Sequence, residues 1–284
     1  MYGQICPGCG AQVNFQDTRC PACDRDVGYP NVRRAGAMRA DLDRHYTTAL
    51  VDADARGIRA RVDELERLLE SSVATINIEP KMLELMSSGT KYANYHQAMA
   101  EHTRHNAEQI YSAHRGAADA KVHTDYGDSI VNAALSPDGR GLPLYGEVTL
   151  RLLDKTIAER ASVLRENAFL FYERHDLGNP AGQEEPGWRA VWADRARLGV
   201  AKLVPEITTV TASRDLPAMV LSPGATRHDD RFLEVHIHGT INWQALAGVS
   251  LDKPLTDGQK QDDWDTATRR LSRNGVSVET PFKP

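Results

Sequence analysis

The chain has 284 residues, 41% of them hydrophobic and 26% charged, with a formal net charge of −5. This is enough apolar material for one sizeable core. No apolar run approaches the length of a membrane span. The mild acidity argues against wholesale coating of DNA, although it leaves room for a local basic site.

The first thirty residues carry the most specific signal. Cys6-Pro7-Gly8-Cys9-Gly10 is followed by Cys20-Pro21-Ala22-Cys23, with ten residues between the two pairs. Each Cys-x-x-Cys forms a tight turn that aims two sulfurs at one point. Two such turns face to face give the closed tetrahedral thiolate site that Zn²⁺ prefers, a structural site rather than a catalytic one. Residues 1–30 are therefore expected to be a small zinc ribbon held by Cys6, Cys9, Cys20 and Cys23. A ribbon of this size has almost no core, so metal binding supplies its folding energy. The chain's four cysteines are all spent here, leaving none for a disulfide or a nucleophile. Zinc-bound thiols, together with a start that shows no signal peptide, point to a cytoplasmic protein with no membrane partner. Arg19, Arg25, Arg33 and Arg34 place positive charge on and just after the ribbon, which favours nucleic acid as a partner; a solvated rim is the alternative.

Gly28-Tyr29-Pro30-Asn31 reads as a linker. From Arg34 to Ser72, apolar residues at Met38, Leu42, Tyr46, Ala49, Ala53, Ile58, Val62, Leu65 and Leu69 fall mostly three and four apart, which predicts a long helix with a possible break at Gly57. Its narrow stripe calls for a partner, either a second copy in a homodimer or the chain's own core. A short strand over Val73–Ile78, a helix from Pro80 to Met86 and a second helix over Tyr92–Arg115 complete a helical spacer across residues 31–115. The last helix carries His96, His102, His105 and His114. Without a metal-binding motif among them, they read as solvated.

From Gly116 the pattern becomes mixed α/β. Turn-rich loops alternate with strands in the second half of 144–153, over Ile207–Ala212, over Phe232–Ile241 and over Val276–Val278, and with helices over Val191–Leu198 and Gln259–Leu271. Residues 157–172 fit either a helix or a strand. The expected architecture is α+β: a zinc ribbon (1–30), a helical middle segment (31–115) and a C-terminal domain with a mostly antiparallel sheet (116–284).

Strand alternation over 232–239 sends Leu233, Val235 and Ile237 to a core face and lines up Glu234, His236 and His238 on the other, about 7 Å apart. That second face fits a solvated surface, the floor of a polar cleft, or a metal site. The metal reading makes the protein a hydrolase that uses His236, His238 and either His123 or Asp125.

The Tyr145-Gly146-x-Val148-x-Leu150 strand, a middle segment and a late apolar strand bearing one Glu together resemble the catalytic domain of ADP-ribosyltransferases, especially toxin-like bacterial ones. The resemblance spans residues 116–284. It implies NAD⁺ as substrate, a macromolecular target (nucleic acid or protein), and use as a toxin or defence effector. It implies Glu234 as the catalytic residue that stabilises an oxocarbenium-like state, and Arg151, Tyr145 and Ser162 as cofactor-binding, with Thr209 as the alternative to Ser162. Family members often carry Glu-x-Glu. Phe232 replaces the first acid here, which sets aside arginine as the modified group. The competing reading is a non-catalytic zinc-ribbon adaptor for nucleic acid or protein.

Overall fold

A computed structural model describes residues 4–14, 16–92, 116, 118–226 and 229–279. It opens with a hairpin of β1 (Gln4–Ile5) and β2 (Gln12–Val13). Three helices follow: α1 (Pro30–Ala37), α2 (Arg39–Ala55) and α3 (Arg59–Ser71). Pro30 opens α1, where a missing N–H costs nothing. The long helix expected over 34–72 is broken by the turn at Met38 and again before α3, where Gly57 takes φ +66°, a left-handed conformation that ends α2.

Next come β3 (Val73–Ile78) and α4 (Pro80–Ser87). After residues 93–115 lie β4 (Ile130–Ser136), β5 (Val148–Leu152), α5 (Asp154–Ile157), β6 (Ala161–Leu164), α6 (Ala168–Arg174) and β7 (Arg189–Val191). The chain continues through α7 (Arg195–Leu203), α8 (Leu216–Val220), β8 (Glu234–His238), β9 (Leu246–Leu251), α9 (Gly258–Arg273) and β10 (Ser277–Glu279). The histidine-bearing helix expected over 92–115 lies outside the described residues beyond Tyr92. Residues 157–172 are strand first and helix afterwards, so Ser162 sits on β6.

Eight strands form one sheet in the order β10-β9-β5-β3-β4-β8-β6-β7. Every neighbouring pair is antiparallel except β9 and β10. The fold is α+β with a mostly antiparallel sheet. One face is apolar: Leu150, Ile76, Val131, Ala133, Val235, Ile237 and Val163 all lie in the main core.

That core also takes Leu42, Ala49 and Ala53 of α2, Ile58, and Val62, Leu65 and Leu69 of α3, while β3 lies between β4 and β5. Residues 30–87, expected as a spacer and dimer arm, are thus built into the sheet domain. The apolar stripe proposed for a homodimer seam is spent on the chain's own core. The segment Ile207–Ala212 corrects another expectation. Ile207 is buried in the main core, and the residues after it form a turn closed by Thr208 and Thr211 rather than a strand, with Val210 87% exposed. β-branched residues favour strands only where a pleated neighbour offers packing, and none lies alongside this turn.

Candidate functional site

The two Cys-x-x-Cys turns have the same construction. In each, the amide of the residue after the second cysteine bonds the carbonyl of the first: Gly10 to Cys6 (3.0 Å) and Asp24 to Cys20 (2.8 Å). In each, the first cysteine's own amide bonds a carbonyl five residues on, Ala11 or Arg25, at 2.8 Å. Gly10 and Asp24 both take left-handed backbone, at φ +73° and +56°. Asp24 is held in that conformation while its carboxylate and carbonyl accept from Arg19.

The turns face each other, with Cys6 Sγ 3.7 Å from Cys23 Sγ and Cys9 Sγ 3.6 Å from Cys20 Sγ. Four sulfurs about 2.3 Å from a tetrahedral zinc stand roughly 3.8 Å apart, so the cluster fits that ion. Sulfurs this far apart are not disulfide-bonded. Without metal, the Cys6 thiol is pulled down to about 6, chiefly by the Gly8 amide. The Ala11 amide favours ionisation of Cys9, but the neighbouring thiols Cys23 and Cys20 outweigh it and push Cys9 up to about 12. One sulfur ionises readily, and a bound cation stabilises the remaining thiolates. Among the described residues, these four cysteines are the group of three or more metal-ligating side chains whose ligand atoms converge.

The positive charge expected around this module is largely engaged within the chain. Arg19 pairs with Asp24. Arg33 donates to the carbonyls of Asp17 and Gly28 at 2.7 and 2.6 Å. Arg34 is partly buried and pairs with Glu184.

The second feature is the polar face of the sheet. Register places Arg151, Thr75, Ala134, Glu234, Leu164 and Arg189 in one row across β5, β3, β4, β8, β6 and β7. The next row carries Asn132, His236, Ser162 and Val191. At the β8-β6-β7 end this face is covered by α1, α6, residues 118–126 and the loop before β7. Glu234 and His236 are consequently 2% and 0% exposed, which rules out the solvated-face reading of this strand.

Glu234 Oε2 accepts the Ala168 amide at the start of α6 (2.6 Å) and lies 3.3 Å from His236 Nε2. Burial pushes the His236 imidazole below its ordinary value, outweighing the bond to Glu234, so the ring is neutral near pH 7. The His123 ring meets His236 edge-on, with centroids 4.2 Å apart. His236 Nδ1 and Asn132 Oδ1, neighbours in register, are buried without a hydrogen-bond partner. Buried polar atoms are seldom left unmet, so this spot is suited to a water or a ligand hydroxyl.

Beside this centre lies an ionic network that sequence reasoning missed. Arg189, 1% exposed, donates to Glu184 Oε1 (2.5 Å) and to the Val122 carbonyl (2.8 Å). Arg34 approaches from α1, donating to Glu184 Oε2 (2.5 Å) and to the same carbonyl (2.7 Å). Burial raises the Glu184 carboxyl, but the two guanidiniums outweigh it and hold the group below its ordinary value. Lys202 of α7 is a further, partly buried titratable group that the sequence did not flag. It donates to the Phe232 carbonyl at 3.1 Å, and burial lowers its pKa to about 8.

The expected site residues are therefore gathered only in part. Ser162 lies beside His236 in register, its hydroxyl accepting from Asn31 Nδ2 at 3.2 Å. Arg151 shares the face and row of Glu234 but stands three strands away, roughly 14 Å, and pairs with Glu279 at 2.6 Å. Tyr145 packs against an apolar cluster of Ala134, Leu142, Leu221 and Phe232. Thr209 is exposed in the turn between Thr208 and Thr211.

A hydrolase metal centre on His236 and His238 is not assembled among the described residues. The His238 ring lies against Tyr29 (5.2 Å between centroids), and Asp125 is exposed in a left-handed turn. No helix among the described residues is long and apolar enough to cross a membrane. Comparison with known proteins finds no family model and no curated protein that matches this chain.

Proposed function

We propose that this chain is an ADP-ribosyltransferase that consumes NAD⁺ and modifies a macromolecule, with a structural zinc on Cys6, Cys9, Cys20 and Cys23. The observation that carries this reading is the shared row on the polar face. The arginine and the carboxylate that the reaction needs, Arg151 and Glu234, project from one side of one sheet at a separation an extended dinucleotide spans. In this reading Glu234 accepts a hydrogen bond from a ribose hydroxyl and stabilises the cation that forms as the bond to nicotinamide breaks. Nicotinamide leaves with the bonding electrons. The target's nucleophile then forms the new bond to the anomeric carbon and loses its proton. Arg151 suits a phosphate through its planar fork of donors, exchanging Glu279 for it. Ser162 and the unmet atoms of His236 and Asn132 offer further polar contacts beside Glu234. Because Glu234 is held by the Ala168 amide, the first turn of α6 must yield for a ribose to reach it. Phe232 is buried in apolar company, so no second acid stands two residues before Glu234 to present an arginine target.

A non-catalytic adaptor is the second reading, favoured by the pre-formed cysteine cluster and by Ile5, which is 61% exposed on its outer strand. Nicotinamide release by the purified chain separates the two. It is measured with NAD⁺ alone and with added DNA, RNA or cell extract. Release supports the transferase, and the additive that raises it identifies the target class. Absence of release in every arm leaves the adaptor.

A further inference from the structure

The helix that follows the cysteine module joins it to the polar centre. Arg33 on α1 reaches back to the module through the carbonyls of Asp17 and Gly28. Two residues earlier, Asn31 is 2% exposed and points into the sheet. Its Nδ2 lies within hydrogen-bond distance of the Arg160 carbonyl (3.0 Å), the His236 carbonyl (2.9 Å) and Ser162 Oγ (3.2 Å). One residue after Arg33, Arg34 enters the network with Glu184 and Val122. A single turn of α1 thus holds the metal-binding module with one side chain and the polar centre with two others. Tyr29 extends this contact by packing on His238.

We infer that the metal-bound module is an ordering device for the polar centre. Metal on the four cysteines keeps the carbonyls of Asp17 and Gly28 where Arg33 can hold them. This seats α1 and makes Asn31 a positioning residue for β6 and β8. The module itself is pinned by little else: its core is Cys6, Val13 and Cys20, packed with Ala11 and Val27. Its order is therefore set by the metal, and α1 transmits that order over a few residues. This inference stands whether or not the chain transfers ADP-ribose.

Hydrogen exchange on the full chain tests it, with zinc bound and after removal by a chelator, alongside zinc content. The expected result is faster exchange in residues 4–29 and also in 30–37, 160–164 and 234–238, while 73–78 and 148–152 stay protected. In Arg33→Ala, zinc content should remain at the wild-type level while exchange in 30–37, 160–164 and 234–238 rises as it does on chelation. This variant removes the link without removing a metal ligand or a partner of the buried network. A rise confined to 4–29 would overturn the inference, as would a uniform rise that includes 73–78 and 148–152, or an Arg33→Ala protein that exchanges like wild type.

Discussion

The cysteine cluster and the polar centre are both groups of charged or ionisable side chains held close together, yet they are assembled in opposite ways. The cluster is closed by backbone bonds over at most five residues, and its sulfurs come from an eighteen-residue stretch, Cys6 to Cys23. The polar centre draws Asn31 and Arg34 from α1, Val122 and His123 from beyond residues 93–115, Ser162, Glu184 and Arg189 from the middle of the chain, and Glu234 and His236 from β8. A locally encoded site depends on its ion. A site gathered from afar depends on the whole fold, and each member is costly to remove because its partners are left behind without water.

The largest effect follows from breaking the local site. Cys20→Ser should abolish zinc binding, taking the content from about one ion per chain to none. It should also melt residues 4–29, since structural zinc is worth about 10–16 kcal/mol to such modules. Far-UV circular dichroism should show the sheet domain still folded. Collapse of the whole domain would mean that the two regions are not separately encoded.

Next in size is Arg189→Met, which leaves Glu184 buried with one guanidinium in place of two. Removing one partner of a buried ion pair costs about 3–5 kcal/mol, to be read from the urea midpoint. A loss below about 1 kcal/mol would place Arg189 in a solvated setting instead. Asn31→Ala should cost about 1–3 kcal/mol, the penalty for taking a buried donor away from the Ser162 hydroxyl and the His236 carbonyl, while the Arg160 carbonyl keeps the His238 amide. Its zinc content should not change, which separates it from Cys20→Ser.

The smallest effect concerns pH. Because burial lowers the folded pKa of His236, the unfolded chain takes up a proton first as pH falls below about 6.5. The contribution of His236 to stability is complete above that pH and is lost as pH drops through the window below it. His175 and His238 are shifted the same way by burial. The melting temperature should therefore fall between about pH 6.5 and 5, and His236→Gln should flatten part of that slope. An unchanged slope would show that His236 is charged or solvated in the fold.

Much of this contrast was visible in the sequence, because local encoding can be read along the chain. The two Cys-Pro-x-Cys turns state their geometry through spacing. The alternation of Leu233, Val235 and Ile237 with Glu234, His236 and His238 identified the core face of β8. It did not reveal what covers the other face, since the covering elements lie from about 50 residues away, at Glu184, to about 200, at Asn31. Arg189 lies just before the helix expected at 191–198. Nothing near it in sequence marks a buried arginine, and one of its network partners, Arg34, belongs to α1. The stripe from Met38 to Leu69 was legible as amphipathic. Whether it met a second copy or the chain's own sheet depended on β3 entering the middle of that sheet. Ile207–Ala212 misled for the same reason: strand-forming residues without a neighbouring strand make a turn.

The most direct measurement is the rate of nicotinamide release from NAD⁺ by wild type and by Glu234→Gln, compared at matched stability and zinc content. The glutamine retains an oxygen that can accept the Ala168 amide, so the start of α6 stays capped while the charge is lost. The transferase reading predicts release by wild type and a drop of about a hundredfold or more in the variant. Equal release by the two proteins would contradict it.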